Sequence, residues 1–354
     1  MEGRPGPDAA QNRITTWLKE IRTRDGLEAA MEALRSWSFD SGYIDKEKLE
    51  KNTLTEYYDS DYDLSFSYQI NYARSGYTPR NNRKLPPGAE CLICRENAAS
   101  PGKETLRVLD LKIRGEKEER DFFLQLTPFP LFPRHYVLID REHTPMNMGQ
   151  EALSQCLAFT AMAPGCTVCS NSDLQWAGAS ILSHSHYQIL PDRRLPVMDA
   201  ASLFRLETDS GILMDALDFP MPALRFTSLD RTRIQREAGR CIGLWKETAS
   251  GYRTVNMLCS RSGEAWMVLL ILRDSRNRNP EELQKYKSEG IGVLEAAGSW
   301  IFPPPADYPE EELTRNSRNI IRGFFKGIRP FDPRNKEDWD FLPHRRIDYA
   351  HTMD

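Results

Sequence analysis

Histidine is scarce in this chain, with six in 354 residues, yet His184, His186 and Gln188 occupy alternate positions in the otherwise apolar run GASILSHSHYQIL, residues 178–190. A period of two belongs to a β-strand, whose successive side chains point to opposite faces. The run therefore predicts a strand with His184, His186 and Gln188 on one face, successive members roughly 6.5 Å apart. Ile181, Ser183, Ser185, Tyr187 and Ile189 take the other face. Two imidazoles at this spacing suit metal ligation. On spacing alone, two ordinary strand histidines fit better.

The rest of the chain alternates helical and strand patterns. Ile14, Trp17, Leu18, Ile21, Leu27, Met31 and Leu34 recur at helical spacing, as one long helix or two broken near Asp25-Gly26. LSFSYQINYAR, TLRVLDLKI, DFFLQLTPF and HYVLID read as strands, and YYDSDYDLS before them as a polar connector. QEALSQCLAFTAMA reads as a helix, followed by the strand CTVCSNS. Near residue 200 the pattern restarts with the helix DRTRIQREAGRCIGLWKETA and a hairpin of YRTVNMLCS and EAWMVLLIL. PEELQKYKSEG reads as a helix start, and the tail from Arg329 as charged and irregular. The fold class expected is α+β, with two related halves that each combine an antiparallel sheet with helices, after an N-terminal helical segment. The division expected is 1–50 for the helical arm, 51–200 for the first half and 201–354 for the second.

Composition excludes several functions. Hydrophobic residues are 40% and charged residues 28%, the balance of a soluble globular protein. The longest apolar run, AWMVLLIL, is far short of a membrane helix. The polar start MEGRPGPDAAQN has no apolar signal core. Seven cysteines without a dense framework indicate a reducing, cytoplasmic setting. A net charge of -4 argues against nucleic-acid binding but leaves room for a small phosphorylated substrate held in a local basic pocket. PGKET is no phosphate-binding loop, and the chain has no Gly-x-Ser-x-Gly nucleophile elbow.

Cys91 and Cys94, in CLIC, have the spacing of half a tetrahedral zinc site. Cys166 and Cys169, in CTVC, repeat that spacing and could complete a four-cysteine site. However, Thr167 and Val168 favour a strand, in which positions i and i+3 face opposite ways.

Taken together, SYQINYARSG, CLIC, TPFPLFPRHYVLIDREHTPM and HSHYQ, in this order, resemble the histidine-triad superfamily in its galactose-1-phosphate uridylyltransferase-like branch. The resemblance covers roughly Leu64 to Pro191. It implies an enzyme that transfers a nucleoside monophosphate through a covalent nucleotidyl-histidine. His186 would be the nucleophile, and Gln188 would donate an amide hydrogen to a phosphoryl oxygen. It also implies a structural zinc held by Cys91, Cys94, His143 and His184, with no position open for a metal-bound water. His135 is a rival ligand, better placed for a core or phosphate-facing role.

Arg74, with Asn71 beside it, would approach phosphate, as would Asn171 and Ser180 before the histidines. Gly178 would permit close backbone approach. Arg273, Arg276 and Arg278 could form a basic lip for the acceptor. The expected substrates are a nucleotide, nucleotide sugar or dinucleoside polyphosphate, and phosphate or a sugar phosphate. Uridylyltransferases carry His-Pro-His-Gly-Gln; Ser185 and Tyr187 here lean toward phosphorylases. Hexose-1-phosphate uridylyl transfer proper, nucleotide hydrolysis and an inactive zinc-stabilised nucleotide-binding protein remain alternatives. The base, the sugar and the oligomeric state, a homodimer among the options, are left open.

Overall fold

The computed structural model describes residues 7–74, 85–178, 181–208, 210–342 and 345–347. Two helices come first, α1 (Pro7–Asp25) and α2 (Leu27–Asp40). Gly26 separates them at φ +92, a conformation glycine adopts without penalty. A short helix α3 (Lys46–Glu50) follows, its first turn capped by the Asp45 side chain. Strands β1 (Thr53–Asp59) and β2 (Leu64–Ile70) form a hairpin. The supposed polar connector thus holds the last three residues of an edge strand, Tyr57 to Asp59. Its exposure on five of seven positions hid it from hydropathy.

The first half then runs β3 (Leu109–Arg114), β4 (Glu119–Leu126), β5 (Tyr136–Asp140), α4 (Gln150–Met162), β6 (Cys166–Ser170) and β7 (His186–Pro191). The second runs β8 (Ser202–Glu207), β9 (Leu213–Leu217), β10 (Ala223–Ser228), α5 (Arg231–Glu247), β11 (Arg253–Ser262) and β12 (Ala265–Asp274). After these come α6 (Val293–Ala296), β13 (Ser299–Phe302), α7 (Glu310–Ile328) and β14 (Arg345–Ile347).

One sheet joins both halves, in the order β14-β8-β9-β10-β12-β11-β6-β7-β5-β4-β3. Every pairing in it is antiparallel. Read inward toward the centre, each half repeats one connectivity. β3-β4-β5-β7-β6 matches β8-β9-β10-β12-β11, with α4 or α5 inserted at the same step. The halves meet where β6 pairs with β11, Cys169 opposite Leu258. A smaller sheet, β1-β2-β13, pairs β13 with β2 in parallel.

The faces of the large sheet have different covers. Tyr187, Ile189, Val168, Leu124 and Leu138 pack on one side with Ile14, Leu18, Met31 and Leu34 of the N-terminal helices, Leu153 and Phe159 of α4, and Ile242 and Trp245 of α5. On the other side Leu190, Cys169, Leu258, Leu269 and Ile271 pack with Phe66, Trp300, Phe302, Phe324 and Phe325, from the small sheet and α7. Beyond this cover, Phe123 and Ile139 of the first half lie under a separate small cluster with Ala98 and Val108. His186 and Gln188 share this second face.

Two expectations change. PEELQKYKSEG gives only a short 3-10 turn, Glu281–Leu283. The chain there wraps inward instead, and Lys287 is buried with its Nζ donating to Glu289 and to the Ile301 carbonyl. The strand of the histidines starts only at His186, so His184 lies just before the ladder. The meander β8–β10 and the helix α7 carried no expectation.

Candidate active site

The loop from Leu85 to Leu106 sits over the first half of the sheet. In it the backbone N–H groups of Glu90 and Cys91 both donate to Cys94 Sγ at 3.3 Å. Cys91 and Cys94 lie 3.6 Å apart through sulfur. His184 Nδ1 is 3.2 Å from Cys91 Sγ and 3.7 Å from Cys94 Sγ, and His143 Nδ1 is 3.3 Å from Cys94 Sγ. The ligand atoms of Cys91, Cys94, His143 and His184 all fall within 4.8 Å of one another.

Tetrahedral zinc with bonds near 2.1–2.3 Å would set its ligands roughly 3.4–3.8 Å apart, close to these separations. The donor set of two thiols and two imidazoles suits the same ion. His184 is held by its far nitrogen: Nε2–H donates to the Asp140 carbonyl at 2.8 Å, which turns Nδ1 to the cluster. Burial pushes the Cys91 thiol up to about 11 and the His184 imidazole below its ordinary value. A cation would favour the thiolate. Cys166 and Cys169 take no part. They lie on opposite faces of β6, one in each core, as their strand spacing requires.

Two residues past His184, His186 Nδ1–H donates to the His184 carbonyl at 2.8 Å. The proton is therefore on Nδ1, and Nε2 carries no hydrogen bond among the described residues. His186 is 7% exposed, and burial lowers its pKa, so the imidazole is neutral near pH 7. A neutral ring with one nitrogen fixed and the other free can act as a nucleophile.

Gln188 lies one alternation further along the face. Its Oε1 is 3.1 Å from His135 Nε2. The Leu131 N–H donates to His135 Nδ1 at 3.3 Å. Gln188 and His135 line a cavity of about 580 Å³ with Gln125, Leu131, Ile93, Lys48 and Arg74 among its walls. That volume lies within the usual range for small-molecule sites. Burial holds His135 down to about 4, so it too is neutral.

The other expected contacts divide. Arg74 reaches the cavity wall, where it pairs with Glu289 at 3.1 Å. Burial raises the Glu289 pKa, but Lys287 and Arg74 outweigh it and bring the carboxyl down to about 2. Asn71 is wholly buried off that wall, its amide atoms without hydrogen-bond partners among the described residues. Asn171 turns its Oδ1 to the Val293 N–H at 3.0 Å, at the start of α6. Ser180 lies outside the described residues.

Arg273 is not on a lip. It is 1% exposed, and its Nη1 donates to Asn256 Oδ1 at 2.8 Å and the Ile291 carbonyl at 3.0 Å. Arg276 is tied to Asp274, and Arg278 stacks over Trp176. Gly178 is needed for a different approach than expected: a Cβ there would meet the Ile291 carbonyl oxygen at 2.3 Å. Gln125 was missed. Its signal was a lone amide on an apolar strand, at a ladder position across Val137 from Gln188.

Duplicated antiparallel halves, a Cys-Cys-His-His cluster and Gln188 on a cavity wall, one alternation from His186, give a fold that resembles the histidine-triad, GalT-like superfamily. The chain is 25% identical over 360 residues to a galactose-1-phosphate uridylyltransferase of Caldanaerobacter subterraneus subsp. tengcongensis, a match covering 88% of this chain and 66% of that protein. A galactose-1-phosphate uridylyltransferase of Bifidobacterium longum subsp. longum is 28% identical over 316 residues, covering 80% and 59%. The chain thus spans about two thirds or less of the length of these curated relatives. A domain family of unknown function, DUF4922, matches residues 78–191. The crystal structure of yeast Ap4A phosphorylase in complex with Ap4A superposes with a TM-score of 0.54 at 14% identity, covering 84% of this chain and 95% of that one. Among the described residues no helix is long and apolar enough to cross a membrane.

Proposed function

We propose that the chain is a nucleotidyltransferase of the phosphorylase type, acting on a nucleoside diphosphate sugar or dinucleoside polyphosphate. The observation that carries the reading is the state of His186, with Nδ1–H given to its own chain and Nε2 unengaged on the face it shares with Gln188. His186 Nε2 attacks the α-phosphorus. A P–N bond forms, the bridging P–O bond breaks, and the sugar phosphate or nucleotide leaves with its oxygen. An oxygen of inorganic phosphate or a sugar phosphate then attacks the same phosphorus, and the P–N bond breaks. Gln188 holds a phosphoryl oxygen in both steps and exchanges no proton. Water would need a base to take its proton, whereas phosphate arrives ionised. Arg74 would meet the anion once phosphate competes with Glu289.

Zinc at Cys91, Cys94, His143 and His184 would bind these segments together and leave the chemistry to the histidine two residues on. The catalytic unit would span 51–200, with 201–354 as its duplicated partner. A second reading, uridylyl exchange between hexose 1-phosphates, is favoured by the names of the relatives at 25–28% identity.

The test is incubation with a panel of nucleoside diphosphate sugars and dinucleoside polyphosphates, followed by intact-protein mass spectrometry. The expected result is a gain of one nucleoside monophosphate, discharged by phosphate or a sugar phosphate and absent in His186→Ala. Steady hydrolysis without any phosphate acceptor would overturn the transferase reading. A sugar phosphate that discharges the adduct where phosphate does not would select uridylyl exchange.

A further inference from the structure

Gln188 can help a phosphoryl oxygen only if its NH2 end, not its oxygen, faces the cavity. An unrestrained amide presents either end, and the oxygen would repel the phosphoryl group. Something has to choose. Residues 131–135 contain the choice. The Leu131 N–H donates to His135 Nδ1 at 3.3 Å, so the ring's own proton sits on Nε2. From Nε2 it is donated to Gln188 Oε1 at 3.1 Å. The β5–β7 register, Val137 opposite Gln188 and Tyr136 opposite Ile189, brings His135 alongside this amide. Turning the amide over would set its NH2 against the Nε2–H, two donors face to face.

We propose that His135 is a positioning residue, which fixes the flip of the Gln188 amide so that its NH2 points at the phosphoryl group. The series runs one way, from backbone N–H to imidazole, from imidazole to amide oxygen, and from amide N–H to the ligand. It has no spare acceptor at which it could reverse. Protonation would place a second proton on Nδ1, against the Leu131 N–H, and burial of the ring keeps that form away. Phe132, with its ring centroid 6.3 Å from that of His135, helps enclose the imidazole. This inference rests on the reading of Gln188 as a phosphoryl-oxygen donor.

The experiment compares His135→Phe, His135→Gln, Gln188→Leu and the double variant His135→Phe/Gln188→Leu. The rate constant for covalent nucleotide incorporation and the nucleotide concentration at half-maximal rate are measured in single turnover. His135→Phe should slow incorporation roughly ten- to hundredfold with little change in half-saturation, the loss typical of an orienting partner. His135→Gln, whose amide can also donate to Oε1, should recover part of it. The double variant should be no slower than Gln188→Leu alone, because His135 would act only through that amide. Losses that multiply would show a separate packing role and overturn the proposal.

A second readout needs no turnover: the long-range 1H–15N spectrum of the histidine rings. It should show His135 as the Nε2–H tautomer, with an Nε2–H signal that moves in Gln188→Leu. An Nδ1–H tautomer, or a signal indifferent to Gln188→Leu, would overturn the proposal. If the wild type forms no adduct with any nucleotide, the reading of His186 fails, and this spectrum alone decides the positioning contact.

Discussion

In the proposed mechanism His186 is the residue on which the chemistry turns, and its neighbourhood makes it replaceable without unfolding. Its side chain spends one hydrogen bond on its own backbone and lies one alternation from Gln188, which lines the cavity. His186→Ala should therefore lower turnover by at least a thousandfold and shift stability by only about 1 kcal/mol. A tenth of wild-type activity remaining in this variant would rule out the nucleophile. His135 gives a prediction about pH. Its folded pKa, about 4, lies below the ordinary 6.5. Between these values the unfolded chain binds the proton and the folded chain does not, so stability falls as pH drops from about 6.5 to about 4. The size is roughly 3 kcal/mol by linkage. Asp140, raised to about 6 by burial, works in the opposite sense, so the raw stability curve mixes the two. The difference between wild type and His135→Phe isolates the histidine, and urea melts at pH 7 and pH 4.5 should show that difference shrinking toward acid. A difference that stays constant with pH would contradict the burial argument.

At the scale of elements, β7 is a short strand whose approach is set from outside. The segment 171–178 is pressed on residues 290–293 of the other half, through Gly178 against Ile291 and through Asn171 to Val293. Gly178 sits at φ +101 with no room for a Cβ. Gly178→Ala should cost about 2–4 kcal/mol from backbone strain and the clash together. It should also reduce adduct formation, since it displaces the approach to His184 and His186. An unchanged denaturation midpoint would refute this account. The strands β3 to β7 and the hairpin β11–β12 were legible because their apolar residues alternate or run unbroken. The meander β8–β10 was not, because polar residues interrupt the pattern. Asp215 pairs there with Arg205 and Arg225, so charges that read as surface loop are satisfied by one another within a sheet. β1 was missed for the reverse reason, since it buries so little.

For the whole molecule, duplication does not double the site. The strand matching β7 by connectivity is β12, and on the corresponding face it carries Met267, Leu269 and Ile271 beneath the small sheet and α7. At saturation the protein should therefore carry at most one nucleotidyl group per chain, counted by intact mass. Two would place a second nucleophile outside β7. The four cluster residues come from the loop at Cys91 and Cys94, the turn after β5 and the approach to β7, and the last two are already joined by the Ser185 N–H donating to the Thr144 carbonyl at 2.7 Å. One zinc per chain is expected by elemental analysis. Cys91→Ser or His143→Ala should lose it and lower Tm by roughly 5–10 °C, a few kcal/mol in a domain of this size. Zinc retained in Cys91→Ser but lost in Cys166→Ser would move the site to the other cysteine pair.

The sequence by itself determined the periods, and with them most of the strands and helices, the break at Gly26 and the α+β class. It also placed His186 and Gln188 on one side of a strand, because residues two apart in a strand share a face, whereas His184 lies just before the ladder. What it could not determine is which long-range partners each polar group finds. Arg273 looks the same in sequence whether it grips a phosphate or bridges Asn256 and Ile291. His135 looks like any strand histidine until the fold sets it against Gln188. Local pattern follows from bonds within a few residues. The fate of a buried donor or acceptor is decided by whatever the rest of the chain brings within hydrogen-bonding distance.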